Sequence, residues 1–469
     1  MGKGTWIYKL VLGLCAAAFG LAGCGNTGSG TETGNEKKTV VTVWTKDRHD
    51  GSFWEEKVKE YNRSNTDNIE IDYKIYSGNY AQAVDSAFQS HNAPDILAYT
   101  DQIFSEYYTQ GYFADLFSYM EEELKDRFSD VLIPEVNVTE DRCWFLPTGA
   151  TAARLFYNEN LLKAAGIGQP PATMEELIQD AREVTQTFGK EGIYGFAINL
   201  KNPKSGLDRS IMKEVNRELG LKNGFDFRTN RYVFENYQTL LENWRELLGA
   251  DCAYPDCRNL EIDPLRQMFA EGKIAMYLSY VHAERGVYEN QFPMQDSWGC
   301  VEIPTAGGNI IGSQNYALSN AYLLNAQSSH LEQAWEAYRS VFLDIDTLAE
   351  YYTKGLGTPI ADAVIEKMEE QGERPDHSAL LLTERDQLWP KAPHERNGKM
   401  QTDGMDIYDT LKELLLGDDE IAPALKSLSD KYNEEYQRIL EEDPEQSAQI
   451  ADFDPLHPNV SIRDVSERK

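Results

Sequence analysis

A strand, a helix and a second strand follow one another near the start of the chain, and this alternation limits the possible folds more than any other feature. Residues 40–44 form an apolar, β-branched run that is typical of a buried strand. Apolar residues at helical spacing follow over 53–64, where Ser52 and Glu55 have the spacing of a capping box, and residues 69–75 alternate apolar with polar side chains. The pattern predicts a βαβ unit and therefore an α/β fold.

The same alternation continues along the chain. We predict a helix at 79–90, a strand at 95–98 and a helix that ends at Gly111. Further strands are predicted at 144–146, 153–158, 193–198, 274–278, 298–303 and 316–324, and further helices at 173–188 and 281–291. Helical spacing dominates residues 208–272. Strands that alternate with helices form sheets that carry helices on both faces.

The N-terminus has the pattern of a targeting signal. Lys3 and Lys9 precede an apolar stretch over 10–21, which is too short to span a bilayer comfortably. The following Leu21-Ala22-Gly23-Cys24 resembles the bacterial lipobox, in which the cysteine thiol is joined to a diacylglycerol and the chain is cut just before it. We expect residues 1–23 to be a lipoprotein signal peptide and Cys24 to be lipidated. The alternatives are an ordinary signal peptide and an uncleaved anchor.

A polar stretch separates the lipidation candidate from the first predicted strand. Residues 25–38 contain Gly, Ser, Thr, Asn, Glu and Lys and no apolar side chain, so they cannot bury anything. A coil of this length reaches roughly 20 Å on average. We therefore predict a lipidated N-terminus and flexible tether over 24–38, which would hold the protein outside the cytoplasm on the cell membrane.

Charge and cysteine content exclude several kinds of partner. The formal net charge is −32, and loss of the two lysines before Cys24 makes it −34. Nucleic acid and anionic lipid headgroups would both be repelled, which leaves the acyl anchor as the membrane contact. Four cysteines follow Cys24, namely Cys143, Cys252, Cys257 and Cys300. The turn-forming Ala-Tyr-Pro-Asp between Cys252 and Cys257 allows a local disulfide, with buried thiols as the alternative, and no cysteine spacing indicates a metal site.

Several motifs, taken in order, resemble those of the family 1 extracellular solute-binding proteins, the maltose-binding-like lipoproteins of bacterial ABC importers. The motifs are Val41-Thr42-Val43-Trp44-Thr45, Ala93-Pro94-Asp95-Ile96, Gly111-Tyr112-Phe113-Ala114-Asp115-Leu116, Leu155-Phe156-Tyr157-Asn158, Pro171-Ala172-Thr173-Met174-Glu175-Glu176-Leu177, Tyr194-Gly195-Phe196 and Phe269-Ala270-Glu271-Gly272-Lys273-Ile274-Ala275-Met276. They extend over about residues 39–360. The chain departs from the family at His282, where the family often has an aromatic residue, commonly Trp.

The resemblance implies a two-lobed, periplasmic-binding-protein-like α/β fold, in which each lobe is a sheet flanked by helices and the ligand lies in a cleft between the lobes. Lobe one would comprise 39–148 and 302–354, and lobe two would comprise 149–301 and 355–469. It also implies a monomer without cofactor or catalytic activity. Such a protein captures a solute, here an oligosaccharide or sugar derivative, and delivers it to the permease of an ABC transporter.

Loops that leave the strand ends converge at a cleft of this kind, so we expect ligand-binding residues there. The candidates are Trp44, Asp47, Arg48, Tyr99 and Asp101 in lobe one, Tyr280, His282 and Arg285 in lobe two, and Asn315 and Tyr316 before a later strand of lobe one. Aromatic rings suit the C–H faces of a sugar, and amides or carboxylates suit its hydroxyl groups. The structural alternatives are a Trp44 packed in the core, a His282 that is satisfied within the protein, and a solvent-facing turn at 314–316.

Other functions find less support in the sequence. It contains no GxSxG elbow, HExxH motif, P-loop or EF-hand loop. With 77 acidic residues, a carboxylate pair at glycosidase spacing carries no information. A surface-anchored glycoside hydrolase and a solute sensor for a membrane kinase remain as alternatives to transport.

Overall fold

The computed structural model of the protein describes residues 38–76, 78–372, 380–396, 400 and 406–459. All of them belong to the structural unit Lys38–Lys469. The predicted signal peptide, Cys24 and all of the predicted tether except Lys38 lie outside the described residues. Within the described part of the chain, no helix has the length and apolar character needed to cross a membrane.

Strands occur throughout the described residues. In chain order they are β1 (Thr39–Thr45), β2 (Ile69–Ile75), β3 (Ile96–Ala98), β4 (Val138–Thr139), β5 (Arg142–Cys143), β6 (Gly149–Thr151), β7 (Ala153–Asn158), β8 (Tyr194–Phe196), β9 (Phe225–Asp226), β10 (Arg231–Tyr232), β11 (Ile274–Tyr280), β12 (Trp298–Val301), β13 (Gln314–Asn315), β14 (Ala317–Ser319), β15 (Tyr322–Leu324), β16 (Thr358–Pro359) and β17 (Asp386–Gln387).

Helices lie between most of these strands. They are α1 (Gly51–Ser64), α2 (Tyr80–Gln89), α3 (Asp101–Tyr107), α4 (Glu122–Arg127), α5 (Glu159–Ala164), α6 (Met174–Phe188), α7 (Pro203–Asp208), α8 (Ile211–Leu219), α9 (Gln238–Leu247), α10 (Ile262–Ala270), α11 (Val281–Gly286), α12 (Leu331–Ala337), α13 (Ile345–Thr353), α14 (Asp362–Glu370), α15 (Pro393–Arg396), α16 (Ile407–Leu416) and α17 (Ile421–Glu442). A π-helical turn, Val287–Gln291, continues α11.

The first sheet contains the predicted βαβ unit. Its strand order is β15-β3-β1-β2, in which β1 pairs in parallel with β2 and β3, and β15 is antiparallel to β3. Helix α1 begins at Gly51, so the predicted capping box at Ser52 and Glu55 is wrong. The residue before the helix, Asp50, instead accepts hydrogen bonds from Trp54 Nε1 at 3.1 Å and from the Tyr351 hydroxyl at 2.9 Å.

The second sheet has the order β12-β7-β11-β8. Its central strands β7 and β11 are antiparallel, and β8 lies parallel to β11 at the edge. Helix α6 starts with the capping box formed by Thr173 and Glu176 and packs closely on β8. A Cβ atom at Gly195 would lie 2.0 Å from the carbonyl oxygen of Ala181, so only glycine allows this approach.

Each four-stranded sheet has its own hydrophobic core. One core contains Val43, Phe145, Leu323 and Tyr352 with their neighbours, and the other contains Phe156, Trp244, Tyr277 and Leu428 with theirs. A third sheet of β14, β6 and β16 lies where the chain passes between the two cores. The α/β fold with two sheets flanked by helices confirms the predicted fold class.

The proposed division of the chain into lobes follows these cores except at two boundaries. Ile303, which falls in the predicted lobe one, belongs to the core of the second sheet. Helix α14 contributes Val364 and Met368 to the core of the first sheet. The sequence predicts that everything after 354 belongs to lobe two, whereas we propose a boundary beyond Met368. Residues 380–453 contribute to the core of the second sheet.

Two strand predictions are wrong in detail. Residues 144–146 form an irregular segment and not a strand. Trp144, Phe145 and Leu146 are apolar because they are buried, so their sequence has the pattern of a buried strand. The predicted strand at 316–324 is split into β14 and β15 by Asn320, whose φ of 47° is left-handed and interrupts an extended run.

The cysteines form no disulfide among the described residues. Cys143, Cys252, Cys257 and Cys300 are all buried thiols. Cys252 Sγ lies 3.7 Å from the carbonyl oxygen of Ile178, and Cys257 Sγ lies 3.1 Å from that of Tyr254. Of the two possibilities for Cys252 and Cys257, the structure has the buried thiols.

Candidate functional site

The ends of β1 and β11 bring the two sheets together at the candidate site. Strand β1 ends at Thr45 and continues into an irregular loop, whereas β11 ends at Tyr280 and continues into α11. The rings of His49 and His282, one from each of these segments, lie with centroids 5.1 Å apart in an edge-to-face arrangement. Residues that follow strands of different sheets therefore meet, as expected for this fold.

Three metal-ligating side chains converge at this point, and we call Asp47, His49 and His282 the histidine cluster. One ligand atom from each lies within 4.8 Å of the other two. The His282 ring contacts Thr151 through Nδ1, which is 2.7 Å from Oγ1, and His49 Nε2 lies 3.0 Å from the carbonyl oxygen of Leu356. Our expectation of no metal site rested on cysteine spacing and overlooked this cluster.

Burial and neighbouring charges shift the pKa values in the histidine cluster. Burial, with His49 nearby, lowers the pKa of His282 well below its ordinary value, so the ring is neutral at pH 7. Burial alone would raise the pKa of Asp47, but the positive charge of Lys46 holds it at about 2. Lys46 Nζ is 2.8 Å from the Asp47 carboxylate. At neutral pH the cluster thus contains a carboxylate beside a neutral imidazole.

A second group of predicted residues follows β3. The Tyr99 hydroxyl donates a 2.6 Å hydrogen bond to Asp101 Oδ1, and the Tyr99 ring stacks on Phe145 with centroids 4.0 Å apart. Lys391, from the C-terminal part of the chain, lies 3.4 Å from the Asp101 carboxylate. The positive charge of Lys391 and the hydrogen bond from the Tyr99 hydroxyl lower the pKa of Asp101. The side chain of Asp101 is nevertheless 73% exposed, so a solute can reach its carboxylate.

Tyr280 presents an aromatic ring flanked by two cations. The Arg209 guanidinium lies 5.3 Å from the ring centroid and the Lys213 ammonium lies 5.7 Å from it. The Tyr280 hydroxyl donates to the carbonyl oxygen of Asp208 at 3.3 Å. Burial, Asp208 and, from the first sheet, Asp101 raise the pKa of this hydroxyl, so the ring stays neutral.

Lys213 is an unusual residue in so acidic a protein because it is only 6% exposed. Burial and the like charge of Lys222 lower its pKa to about 8, although Asp208, Glu395 and Asp101 act in the opposite sense. Apart from the Tyr280 ring, no described residue offers its ammonium group a hydrogen bond or an ion pair. The group is therefore available to an acceptor on a solute.

Three other predicted residues, Trp44, Arg48 and Arg285, contact residues outside these two groups. The Trp44 ring packs against Tyr76 with centroids 4.3 Å apart, and it is only partly buried. Arg48 forms an ion pair with Asp263 at the start of α10, which joins the two sheets on the exposed side. Arg285 pairs with Glu289 within its own helical segment at 2.9 Å. Trp44 keeps an accessible face, whereas both arginines are engaged in ion pairs.

The last two predicted residues lie elsewhere. Asn315 is buried, and its side-chain oxygen accepts a hydrogen bond from the backbone of Trp389 at 3.0 Å. Tyr316 lines a cavity of about 260 Å³ with residues that include Asp130, Asp362 and Leu388 but none of the other predicted ligand contacts. These contacts include none with the histidine cluster or with Tyr280. The role of Asn315 and Tyr316 in binding stays a prediction.

Sequence reasoning missed several residues of the site. His49 directly follows the predicted Asp47 and Arg48, so its position after β1 was a usable signal. Thr151, Lys213 and Lys391 had no such signal, because they approach the site from segments far away in the chain. Only tertiary contacts identify them.

The family model described as bacterial extracellular solute-binding protein matches residues 45–339, which is more than half of the chain. A relative from Brucella abortus (strain 2308), described as a binding protein, is 21% identical over 316 residues, covering 67% of this chain and 73% of its own.

Solved structures share the overall architecture. A maltose-bound protein of T. maritima, MalE3, has a TM-score of 0.66 at 16% identity and covers 84% of this chain and 98% of its own. An ABC substrate-binding protein of Listeria monocytogenes in complex with cycloalternan has a TM-score of 0.65 at 16% identity, covering 85% of this chain and 99% of its own. At 16% identity, this structural similarity shows the two-lobed fold and nothing beyond it.

Proposed function

This chain belongs to the family of bacterial extracellular solute-binding proteins, and from that premise we propose that it captures a carbohydrate outside the cytoplasm and delivers it to an ABC transporter permease. The carbohydrate class is supported by the MalE3 and Listeria proteins, whose structures contain maltose and cycloalternan. It is also supported by the site itself, where an aromatic ring lies among cations and carboxylates.

The observation that carries this proposal is the surrounding of Tyr280. Its ring offers a flat apolar face, while Lys213 and Arg209 next to it can donate hydrogen bonds and Asp101 can accept them. A sugar has apolar C–H faces and a rim of hydroxyl groups, so it needs both kinds of partner. We propose Tyr280, Trp44 and Asp101 as direct contacts.

Titration calorimetry against a panel of oligosaccharides tests the proposal. At least one glycan should bind, and Tyr280→Ala should weaken it by about 10- to 150-fold, which corresponds to roughly 1.5–3 kcal/mol of lost apolar burial. Tyr119→Ala, which removes a partly buried tyrosine next to Trp335, is the matched control and should leave the affinity unchanged. Binding of peptides or polyamines but of no glycan would refute the carbohydrate class.

We propose binding without chemistry, so no cleavage product should accumulate when the best glycan is incubated with the protein for hours. Chromatographic detection of product would favour the surface glycoside hydrolase. Deletion of the gene should abolish uptake of the labelled glycan, whereas intact uptake with a lost transcriptional response would favour the sensor. We also propose that the protein acts as a monomer held on the membrane through a lipid on Cys24.

A further inference from the structure

The histidine cluster has a composition that sugar binding does not require. Asp47 and His49 follow strand β1 of the first sheet, whereas His282 follows strand β11 of the second. Their ligand atoms lie within 4.8 Å of one another, and two imidazoles with one carboxylate form a set that Zn²⁺ prefers. We propose that the histidine cluster binds a Zn²⁺ ion that joins the two sheets.

Hydrogen bonds around the cluster orient both rings for a metal ion. The partner of His49 Nε2 is the carbonyl oxygen of Leu356, which can only accept, so Nε2 donates and Nδ1 is the ring nitrogen that a metal ion can use. His282 Nδ1 lies 2.7 Å from Thr151 Oγ1 and can donate to it, which leaves Nε2 for the ion. Such second bonds from a ligating histidine are the usual support of a zinc site.

The ligand atoms of the three side chains are at most 4.8 Å apart, which can be compared with the spacing that a bound ion needs. Zinc bonds of about 2.0–2.1 Å in a tetrahedron place neighbouring ligand atoms roughly 3.4 Å apart. The cluster therefore has to contract by up to about 1.4 Å, which rotation of the rings or a small approach of the two sheets can supply. Three protein ligands leave the fourth position for water or for a solute hydroxyl.

The ammonium group of Lys46 competes with a metal ion for the Asp47 carboxylate. This group lies 2.8 Å and 3.0 Å from the two oxygens of Asp47, where it supplies positive charge at the place proposed for the ion. The Lys46 side chain is 40% exposed, and an exposed ion pair of this kind contributes little to stability. Lys46 can therefore move into solvent when a divalent cation binds.

A metal ion at this site would restrict the movement of the two sheets relative to each other. A Zn²⁺ ion held by Asp47 and His49 on one side and by His282 on the other would oppose separation of the two sheets. Because closure and solute binding are linked, zinc should also change the affinity for a solute that binds between the lobes. The metal site itself depends only on the three side chains, so it can be tested without knowledge of the solute.

The test uses tag-free, EDTA-treated protein and ZnCl₂ alone in titration calorimetry. We expect one ion per chain. His49→Ala and His282→Ala should each weaken binding by more than the roughly 10- to 100-fold that loss of an outer hydrogen-bond partner costs, and Thr151→Val should weaken it within that range. His330→Ala, which removes an exposed histidine outside the cluster, is the matched control and should bind zinc like the wild type.

Circular dichroism without zinc shows whether each variant is folded. If His282→Ala does not fold, Asp47→Ala and His49→Ala carry the test, because both positions lie on the loop after β1. Absorption of the Co²⁺-substituted protein should show nitrogen and oxygen ligands in tetrahedral geometry. The proposal is overturned if the wild type does not bind zinc, or if folded Asp47 and His49 variants bind it as tightly as the wild type. Neither result would bear on glycan binding.

Discussion

The ammonium group of Lys213 lies 5.7 Å from the centroid of the Tyr280 ring, and only 6% of the surface of Lys213 is exposed. A lysine in such a place is less stable in its charged form than a lysine in water. The charged Lys213 therefore lowers the free energy of unfolding of the protein. It lies next to the aromatic ring that we propose as a contact of the solute.

The first prediction concerns this cost. The pKa of Lys213 falls from 10.5 to about 8 on folding, so below pH 8 the full penalty of about 3 kcal/mol is present. Between pH 8 and 10.5 the unfolded chain keeps a proton that the folded chain has released, and this contribution to stability rises with pH. Lys213→Met should therefore be more stable than the wild type at pH 7, and the difference should shrink towards pH 10.

Urea unfolding at pH 7, 9 and 10 measures this difference. Lys59→Met, which removes a lysine whose side chain is 73% exposed, is the control and should show no such trend. A stability difference for Lys213→Met that stays constant with pH would contradict the assigned direction of the pKa shift.

The second prediction separates binding from stability at Asp101. Its carboxylate accepts from Tyr99 and pairs with Lys391, yet its side chain is 73% exposed, so Asp101→Asn should change the free energy of unfolding by less than about 1 kcal/mol. If the carboxylate accepts a solute hydroxyl, the same variant should lose about 1.5–3 kcal/mol of binding. Calorimetry and urea unfolding measure the two effects, with exposed Asp126→Asn as control. Unchanged glycan affinity would remove Asp101 from the site.

The third prediction concerns a buried ion pair that fastens the C-terminal part of the chain to the second sheet. Arg154 on β7 donates to both carboxylate oxygens of Asp386, at 3.0 Å and 2.5 Å, and both side chains are almost fully buried. Asp386→Leu leaves a buried guanidinium without its partner and should cost about 3–5 kcal/mol in urea unfolding. The double variant Arg154→Met with Asp386→Leu should recover part of this loss.

An exposed pair provides the control for that measurement. Lys426 and Asp430 face solvent on α17, and Asp430→Asn should cost no more than about 0.5 kcal/mol. Two results would contradict a stabilising role of the buried pair. One is a loss for Asp386→Leu that is no larger than that for Asp430→Asn. The other is a double variant whose free energy of unfolding is lower than that of Asp386→Leu by as much again as the single substitution costs.

The fourth prediction concerns the N-terminus, which lies outside the described residues. Cys24 is preceded by small residues and followed by a polar stretch, so radiolabelled palmitate should enter the wild type and should not enter Cys24→Ala. Cys15→Ala alters a cysteine within the predicted signal and should keep the label. Persistent label in Cys24→Ala would refute the lipid anchor at this residue.

The fifth prediction is closure on binding. A solute that contacts residues of both sheets favours the closed arrangement by its difference in affinity for the two arrangements. Small-angle scattering should therefore show a smaller radius of gyration with a saturating glycan than without it. The Tyr280→Ala variant, at a glycan concentration too low to saturate it, should keep the larger value. An unchanged radius in the saturated wild type would contradict the hinge motion.

The order of strands and helices could be predicted because it depends on local spacing. Apolar residues in alternation or at helical intervals define β1, α1 and β2, and Gly111 ends its helical segment in a left-handed conformation as expected. The errors occurred where local pattern and tertiary environment disagree. The run at 144–146 is apolar because it is buried, and Asn320 interrupts a run that looks continuous in the sequence.

The sequence by itself determined the α/β class, the family and the candidates at the ends of β1, β3 and β11, because each of these follows from neighbouring residues. Only the tertiary structure decided which candidates meet. His49 and His282 approach each other because segments that follow strands of two different sheets carry them, and Lys213 on α8 reaches the Tyr280 ring at the end of β11 across a long separation in the chain. Such contacts depend on the path of the whole chain and on what the two cores bury, and no local spacing records that path.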